Sequence, residues 1–109
     1  MKNSVCVIIP CYKDSSTLER ALNSIYAQTR KLNEIIVVND FSPETEKIES
    51  ILKNHPKVKY IKNQKNYGLA KTRNVGIRNS RSDIITFLDA DDEIHPQKIE
   101  LQLSVYREN

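Results

Sequence analysis

The hydrophobic positions of this 109-residue chain follow two alternating spacings, one typical of strands and the other of helices. Continuous apolar runs, as expected of strands buried on both faces, occupy residues 4–10, 34–39 and 83–88. Residues 57–62 alternate lysine with apolar residues, which predicts a strand at the edge of a sheet. The pattern therefore predicts four strands, the first of which is expected to end at Pro10.

Apolar stripes at helical spacing follow the first two predicted strands. Ser16 with Glu19 forms a capping-box signature at the start of the first stripe. That stripe consists of Leu18, Ala21, Leu22, Ile25 and Tyr26. In the second helix, Ser42 suits the N-cap and Pro43 the first helical position. The second stripe consists of Ile48, Ile51 and Leu52.

Two further helices complete the pattern. Residues 69–78 predict a weaker helix that is interrupted by Gly76, and Pro96 opens a last helix. The stripe of the last helix consists of Ile99, Leu103 and Tyr106. Strands that alternate with helices form a mostly parallel sheet through right-handed crossovers. We therefore expect a single α/β domain over residues 1–109 with a Rossmann-like three-layer α/β/α arrangement.

The composition is that of a soluble globular domain, with 39% hydrophobic and 28% charged residues. The longest apolar run, residues 5–9, is much too short for a membrane-spanning helix, and the chain does not open on a signal-peptide pattern. Cys6 and Cys11 have neither disulfide nor zinc-site spacing, so we expect both to be buried as small hydrophobic residues. A reducing cytoplasm is the expected location.

The net charge of +3 is unevenly distributed along the chain. Residues 55–82 contain eight Lys and Arg and no acidic residue, whereas the rest of the chain carries nine positive and 14 negative charges. A basic segment of this kind is either a solvated surface or a binding surface for an anion. Gly68 precedes a predicted helix start, where backbone N–H groups favour an anion that Lys71 and Arg73 are placed to neutralise. The segment has too few interleaved aromatic residues to predict nucleic-acid binding.

Polar side chains follow three of the predicted strands, and ligands of parallel sheets bind outside these carboxyl ends. Asp89, Asp91 and Asp92 either bind a hard divalent cation, Mg²⁺ or Mn²⁺, together with a diphosphate, or are solvated acids at the start of the last helix. Asp40 has two interpretations. It is a turn or N-cap residue, or it accepts a hydrogen bond from the imide N–H of a nucleobase on which Tyr12 stacks.

Four segments in this order, SVCVIIPCYK, EIIVVNDFSPE, NYGLAKTRNVGI and SDIITFLDADDE, resemble the amino-terminal half of the family 2 glycosyltransferases with the GT-A fold. The resemblance implies the strand order 3-2-1-4 for the sheet. It also implies metal-assisted transfer of a sugar from a nucleotide diphosphate, often UDP-linked, with inversion at the anomeric carbon. The acceptor implied is a saccharide or lipid-linked hydroxyl, as in cell-envelope polysaccharide synthesis, at the cytoplasmic face of a membrane.

The resemblance also implies roles for individual residues. Pro10 and Tyr12 would border the nucleobase, and Asp40 would accept its imide hydrogen bond. The remaining implied roles belong to Lys71 and Arg73 near the nucleotide, Asp89 on the ribose, and Asp91 on the metal ion. One departure from the family pattern is Phe41, which stands where the family usually has a glycine and would restrict the turn.

Only 17 residues follow Asp92, whereas the general base of the family lies on a later segment. No catalytic base is assigned, and the chain is expected to be the donor-binding part of a longer enzyme, inactive by itself. Its last strand, residues 83–88, would then have an unpaired edge that can recruit another chain.

Two related enzyme classes fit the sequence poorly. A phosphotransferase of the haloacid dehalogenase type needs later lysine and acidic motifs, and a sugar nucleotidyltransferase needs a glycine-rich loop where residues 11–14 read CYKD. The alternative that remains is a non-catalytic domain for nucleotide binding or for interaction with another protein.

Overall fold

The computed structural model describes residues 4–92 and 94–102 of the chain. Its elements are, in chain order, β1 (Val5–Cys11), α1 (Ser15–Tyr26), β2 (Glu34–Asn39), α2 (Thr45–Leu52), β3 (Lys59–Lys62), α3 (Leu69–Arg78) and β4 (Ile84–Phe87). Residues 98–102 are helical and belong to the predicted last helix, of which Leu103 and Tyr106 lie outside the described residues.

The four strands form one parallel sheet in the order β3-β2-β1-β4, which confirms the predicted topology. Cys11 pairs with Asn39 of β2, and Asn39 pairs with Lys62 of β3. This register aligns the carboxyl ends of three neighbouring strands. The loops that follow these strands therefore lie along one edge of the sheet.

Alternate side chains of β1 point to opposite faces of the sheet. Val5, Val7 and Ile9 pack in one apolar cluster with α1 and α2. Cys6 and Ile8 pack in a second cluster that includes Val75 of α3. Each large aliphatic side chain buried in this way stabilises the fold by roughly 1.5–3 kcal/mol. The three-layer α/β/α arrangement is thus built on both faces of β1.

Gly76 does not interrupt α3, contrary to the sequence-based expectation. A Cβ atom at this position would lie 2.5 Å from Cγ2 of Ile8. The absence of a side chain lets α3 approach β1 closely, and this packing outweighs the low helix propensity of glycine.

The predicted helix starts were wrong in both cases where a cap was proposed. α1 begins at Ser15, and no capping box forms between Ser16 and Glu19. The N–H and hydroxyl of Ser15 instead donate to Oε1 of Glu44, at 3.1 and 2.8 Å. α2 begins at Thr45, two residues after Pro43. A turn precedes it because Ser42 Oγ accepts a hydrogen bond from the Glu44 N–H at 3.0 Å.

Strand ends and edges also differ from the expectation. β1 continues through Pro10 to Cys11, because β4 ends beside Ile8 and no ladder bond to β4 is required of Pro10. β3 lies at the edge, as predicted, but is shorter and begins at Lys59. β4 is only half-buried rather than fully buried, because it forms the other edge of the described sheet. No helix within residues 4–92 and 94–102 is long and apolar enough to cross a membrane.

Candidate functional site

A cleft of about 490 Å³ opens at the carboxyl ends of β1, β2 and β4, beside the start of α3. Five of the seven predicted site residues line it, namely Pro10, Tyr12, Asp40, Asp89 and Asp91. The parallel register explains this convergence, since each of these residues lies at or just after a strand end. The cleft is therefore the candidate site of the molecule.

Asp40 lies directly after β2 and is only 6% exposed. Its Oδ1 accepts hydrogen bonds from Asn63 Nδ2 at 2.9 Å and from the Tyr67 N–H at 2.8 Å. Its Oδ2 accepts the Gly68 N–H at 3.0 Å. Asn63 Nδ2 also donates to the hydroxyl of Thr72 at 3.2 Å. The carboxylate thus fastens the loop between β3 and α3 to the end of β2.

Burial alone raises the pKa of Asp40, but the hydrogen bonds outweigh it and hold the pKa below the ordinary value of 3.8. The side chain is therefore an anion at neutral pH, placed where the dipole of α3 favours one. The anion expected at this helix start is the protein's own carboxylate. Asp40 is not the cap of α2 either, because the N-cap residue of α2 is Glu44. In the turn between them, the Ser42 N–H donates to Asn39 Oδ1 at 2.9 Å.

Phe41 follows Asp40 with a φ of +56°, in the left-handed region that favours glycine. Its side chain is 55% exposed, so little burial compensates the backbone strain of about 1–2 kcal/mol. The turn after β2 thus keeps the conformation in which a glycine would be unstrained, although the chain has a bulky residue there.

Tyr12 is 37% exposed and lines one side of the cleft. Its backbone N–H donates to Oδ2 of Asp14 at 3.4 Å, and the ammonium group of Lys13 lies 5.5 Å from the ring centre. Pro10 is buried beside it at the end of β1. The two residues offer an aromatic and an aliphatic ring to a planar ligand.

Three carboxylates, those of Asp89, Asp91 and Asp92, lie after β4 with ligand atoms all within 4.8 Å of one another. All three side chains are exposed. Thr17 Oγ1 donates to the carbonyl of Ala90 at 2.8 Å, which fixes this turn against α1. Three clustered carboxylate oxygens suit Mg²⁺ or Mn²⁺, so the donor set fits the predicted ion.

The two predicted basic residues have different surroundings. Nη2 of Arg73 lies 3.6 Å from Oδ1 of Asp89, and its guanidinium lies 5.2 Å from the centre of the Phe87 ring. Lys71 does not line the cleft. It lines a separate groove of about 380 Å³ on α3 together with Tyr67, Asn74, Val75 and Arg78.

Sequence reasoning missed the residues that organise the cleft from the β3–α3 loop. Asn63 is buried and donates to Asp40, and Asn66 lines the cleft and donates to the Asp40 carbonyl at 3.3 Å. Thr72 lines the cleft from α3. Thr72 and Gly76 are the buried residues of α3, and a hydroxyl side chain on the face of a helix that packs on the sheet was the one local sign of this network.

Both cysteines are buried and unpaired, as predicted. Cys11 lines the cleft, but burial raises the pKa of its thiol to about 12. Burial raises the pKa of the Cys6 thiol to about 11. Because the thiolate is the reactive form, neither cysteine is a nucleophile at neutral pH.

The sequence model of the family described as Glycosyl transferase family 2 matches residues 6–109. The chain belongs to this family. A relative named as an uncharacterized glycosyltransferase, from Rickettsia felis, is 39% identical to it over 106 residues. The match covers 96% of the chain but 17% of the relative, so the chain spans only a minor part of that protein.

Solved structures share the fold. S. aureus TarS 1–349, in complex with UDP-GlcNAc, has a TM-score of 0.81 and 26% identity, over 96% of this chain and 31% of TarS. The mannosyltransferase PcManGT from Pyrobaculum calidifontis, in complex with GDP-Man and Mn²⁺, has a TM-score of 0.78 and 24% identity, over 96% and 32% of the two chains. The architecture of this chain is that of the GT-A glycosyltransferases.

Proposed function

We propose that this chain is the donor-binding part of a glycosyltransferase that transfers a sugar from a nucleotide diphosphate, a UDP-sugar first of all, to an acceptor hydroxyl with inversion. The observation that carries the proposal is the convergence of Tyr12, Asp40 and the acidic turn after β4 in one cleft. The acidic turn is the segment 89–92, which contains Asp89, Asp91 and Asp92. Family membership and the UDP-GlcNAc bound by TarS support the same donor class.

The cleft offers a base-binding end and a diphosphate end. Tyr12 and Pro10 would border the nucleobase, and the ionised Asp40 is an acceptor for an imide N–H, as in uracil. Asp89 would contact the ribose, with Arg73 beside it. Lys71 faces the groove on α3, so the geometry gives its predicted contact with the nucleotide no support.

Asp91 would coordinate a divalent cation, with Asp89 and Asp92 close enough to share it. When bound, Mg²⁺ or Mn²⁺ would offset the charge that develops on the leaving nucleotide diphosphate. The chain's own part is to hold the carboxylates in place, which the hydrogen bond from Thr17 to the Ala90 carbonyl does. We assign the general base to no described residue, and we place the acceptor site, for a saccharide or a lipid-linked sugar, on a later segment.

A cytoplasmic location, at the membrane face, is part of the proposal. The groove on α3 combines Lys71 and Arg78 with the ring of Tyr67, over which Lys65 lies at 5.6 Å. Such a basic surface suits anionic headgroups.

The half-buried edge of β4 is where we propose self-association. A monomer in light scattering at high protein concentration would contradict this proposal.

Titration calorimetry with UDP, with and without Mn²⁺, tests the proposal. Asp91→Ala is expected to abolish the effect of Mn²⁺ on UDP binding. Asp83→Ala is the matched control, because this carboxylate lies before β4, hydrogen-bonded to Ser4 at 3.2 Å. Wild-type protein that binds no UDP in either condition would refute the donor site. Donor hydrolysis by the chain would instead refute the expectation that it is inactive alone.

A further inference from the structure

Arg73 lies next to the acidic turn and carries a permanent positive charge. Its guanidinium is 3.6 Å from a carboxylate oxygen of Asp89, one of the three residues whose oxygens cluster after β4. The ring of Phe87 supports the guanidinium at 5.2 Å. The cationic group is therefore held where a divalent ion on the cluster would meet it as a like charge.

The hydrogen bonding of Arg73 is incomplete. Its Nε atom is buried and has no acceptor among residues 4–92 and 94–102. A buried donor without a partner is unfavourable, so the position is maintained by the ion pair and the Phe87 ring rather than by a full set of hydrogen bonds. A side chain held in this way can exchange partners when a ligand with acceptor oxygens enters the cleft.

We infer that Arg73 is a positioning residue that makes cation binding at the acidic turn depend on the diphosphate of the donor. Without nucleotide, Arg73 neutralises Asp89 and repels a divalent ion. The diphosphate brings negative oxygens that attract both Arg73 and the ion, so the repulsion between Arg73 and the ion is screened. Asp89 is then released from Arg73 and can bind the ion. The inference rests on the proposed function, and it adds an order to the binding of metal and donor.

The charge distribution around α3 supports this role for Arg73 alone. Lys71 and Arg78 lie on the same helix but line the groove outside the cleft. Of the described residues in α3, Arg73 is the one whose charged group is within 4.0 Å of a carboxylate of the acidic turn. Removal of its charge should therefore alter metal binding in a way that removal of another charge from α3 does not.

The test is a calorimetric cycle that measures Mn²⁺ affinity with and without saturating UDP in four proteins, namely wild type, Arg73→Gln, Arg73→Lys and the control Arg78→Gln. In Arg73→Gln, Mn²⁺ alone is expected to bind about two- to fivefold more tightly, since the lost ion pair is half-exposed. The factor by which UDP strengthens Mn²⁺ binding is expected to fall by the same ratio. Arg73→Lys keeps the charge and should restore most of that factor.

The outcomes separate this inference from the proposed function. If wild-type protein binds UDP but Arg73→Gln has the same Mn²⁺ affinity and UDP coupling as Arg78→Gln, the inference is refuted and the donor site stands. If wild-type protein binds no UDP, both fail together. Unfolding by circular dichroism is measured for each variant, and a folded Arg73→Lys protein with wild-type coupling supports the role of the charge if Arg73→Gln does not fold.

Discussion

Replacement of Asp40 by Asn removes one negative charge and leaves the shape of the side chain nearly unchanged. In the native chain the carboxylate accepts hydrogen bonds from the N–H groups of Tyr67 and Gly68 and from the side chain of Asn63. An asparagine offers one acceptor oxygen and one NH₂ group. Whichever way the amide is turned, at least one donor of the β3–α3 loop then faces another donor.

The size of the effect follows from these contacts. A hydrogen bond to a charged group contributes about 1.5–3 kcal/mol, and a buried donor without a partner costs about 1–3 kcal/mol. Loss of one such bond and weakening of the others should lower the free energy of unfolding of Asp40→Asn by about 2–3 kcal/mol. For a domain of this size the midpoint temperature should fall by about 10–20 °C.

The assay is thermal and urea unfolding followed by circular dichroism at neutral pH, with Asp92→Asn as the control. Asp92 is exposed, so its replacement should change the free energy of unfolding by no more than about 0.5 kcal/mol. If the midpoint of Asp40→Asn equals that of the control, the carboxylate does not hold the loop and this reasoning is wrong.

The same carboxylate should make the free energy of unfolding depend on pH. The pKa of Asp40 in the folded chain lies below 3.8, so the folded chain binds the proton less readily than the unfolded chain does. Its contribution to stability is therefore complete above the ordinary pKa and is lost as the pH falls from there through the folded value. Wild-type protein should lose stability in this acid range, and Asp40→Asn should lose less. Equal losses in the two proteins would contradict the assignment.

Three further predictions concern strain, packing and reactivity. Phe41→Asn should raise the free energy of unfolding by about 0.5–1 kcal/mol in urea, because asparagine tolerates the positive φ, whereas Phe41→Leu keeps the strain. Gly76→Ala should lower the free energy of unfolding by about 1–3 kcal/mol, because the added Cβ contacts Ile8. The loss should be smaller in a chain that also carries Ile8→Ala, and additive losses would exclude this contact. Cys6 and Cys11 should react with a thiol reagent at pH 8 only as fast as the chain unfolds, and faster modification would show that the thiols are accessible.

The strands and helices could be predicted because the information that specifies each of them is local. Apolar runs such as residues 34–39 and the stripe that begins at Leu18 each specify one element, and the handedness of the crossovers then limits the sheet to few arrangements. The positions of Tyr12, Asp40 and Asp89 at the cleft could also be predicted, because parallel strands bring their carboxyl ends to one edge of the sheet.

What the sequence did not predict depends on contacts between distant segments. Ser16 and Glu19 match a capping box by spacing, yet the donor that needed a partner was Ser15, and Glu44 supplied it. The hydrogen bond from Asn63 to Asp40 spans 23 residues and leaves no periodic trace in the chain. Lys71 and Arg73 differ by two positions on a helix, and only the helix rotation decides which one meets Asp89.

The hydrogen bonds from Ser15 to Glu44 have a consequence for how the chain is made. They join the start of α1 to a residue 29 positions later, and Asp14 provides no side-chain cap of its own. During synthesis α1 therefore emerges before the group that satisfies its first turn. Because the loop that holds Tyr12 directly precedes Ser15, we expect this loop to become ordered after β2 and the start of α2 have been made. The side of the cleft that contains Tyr12 therefore depends on Glu44, a residue that is synthesised well after it.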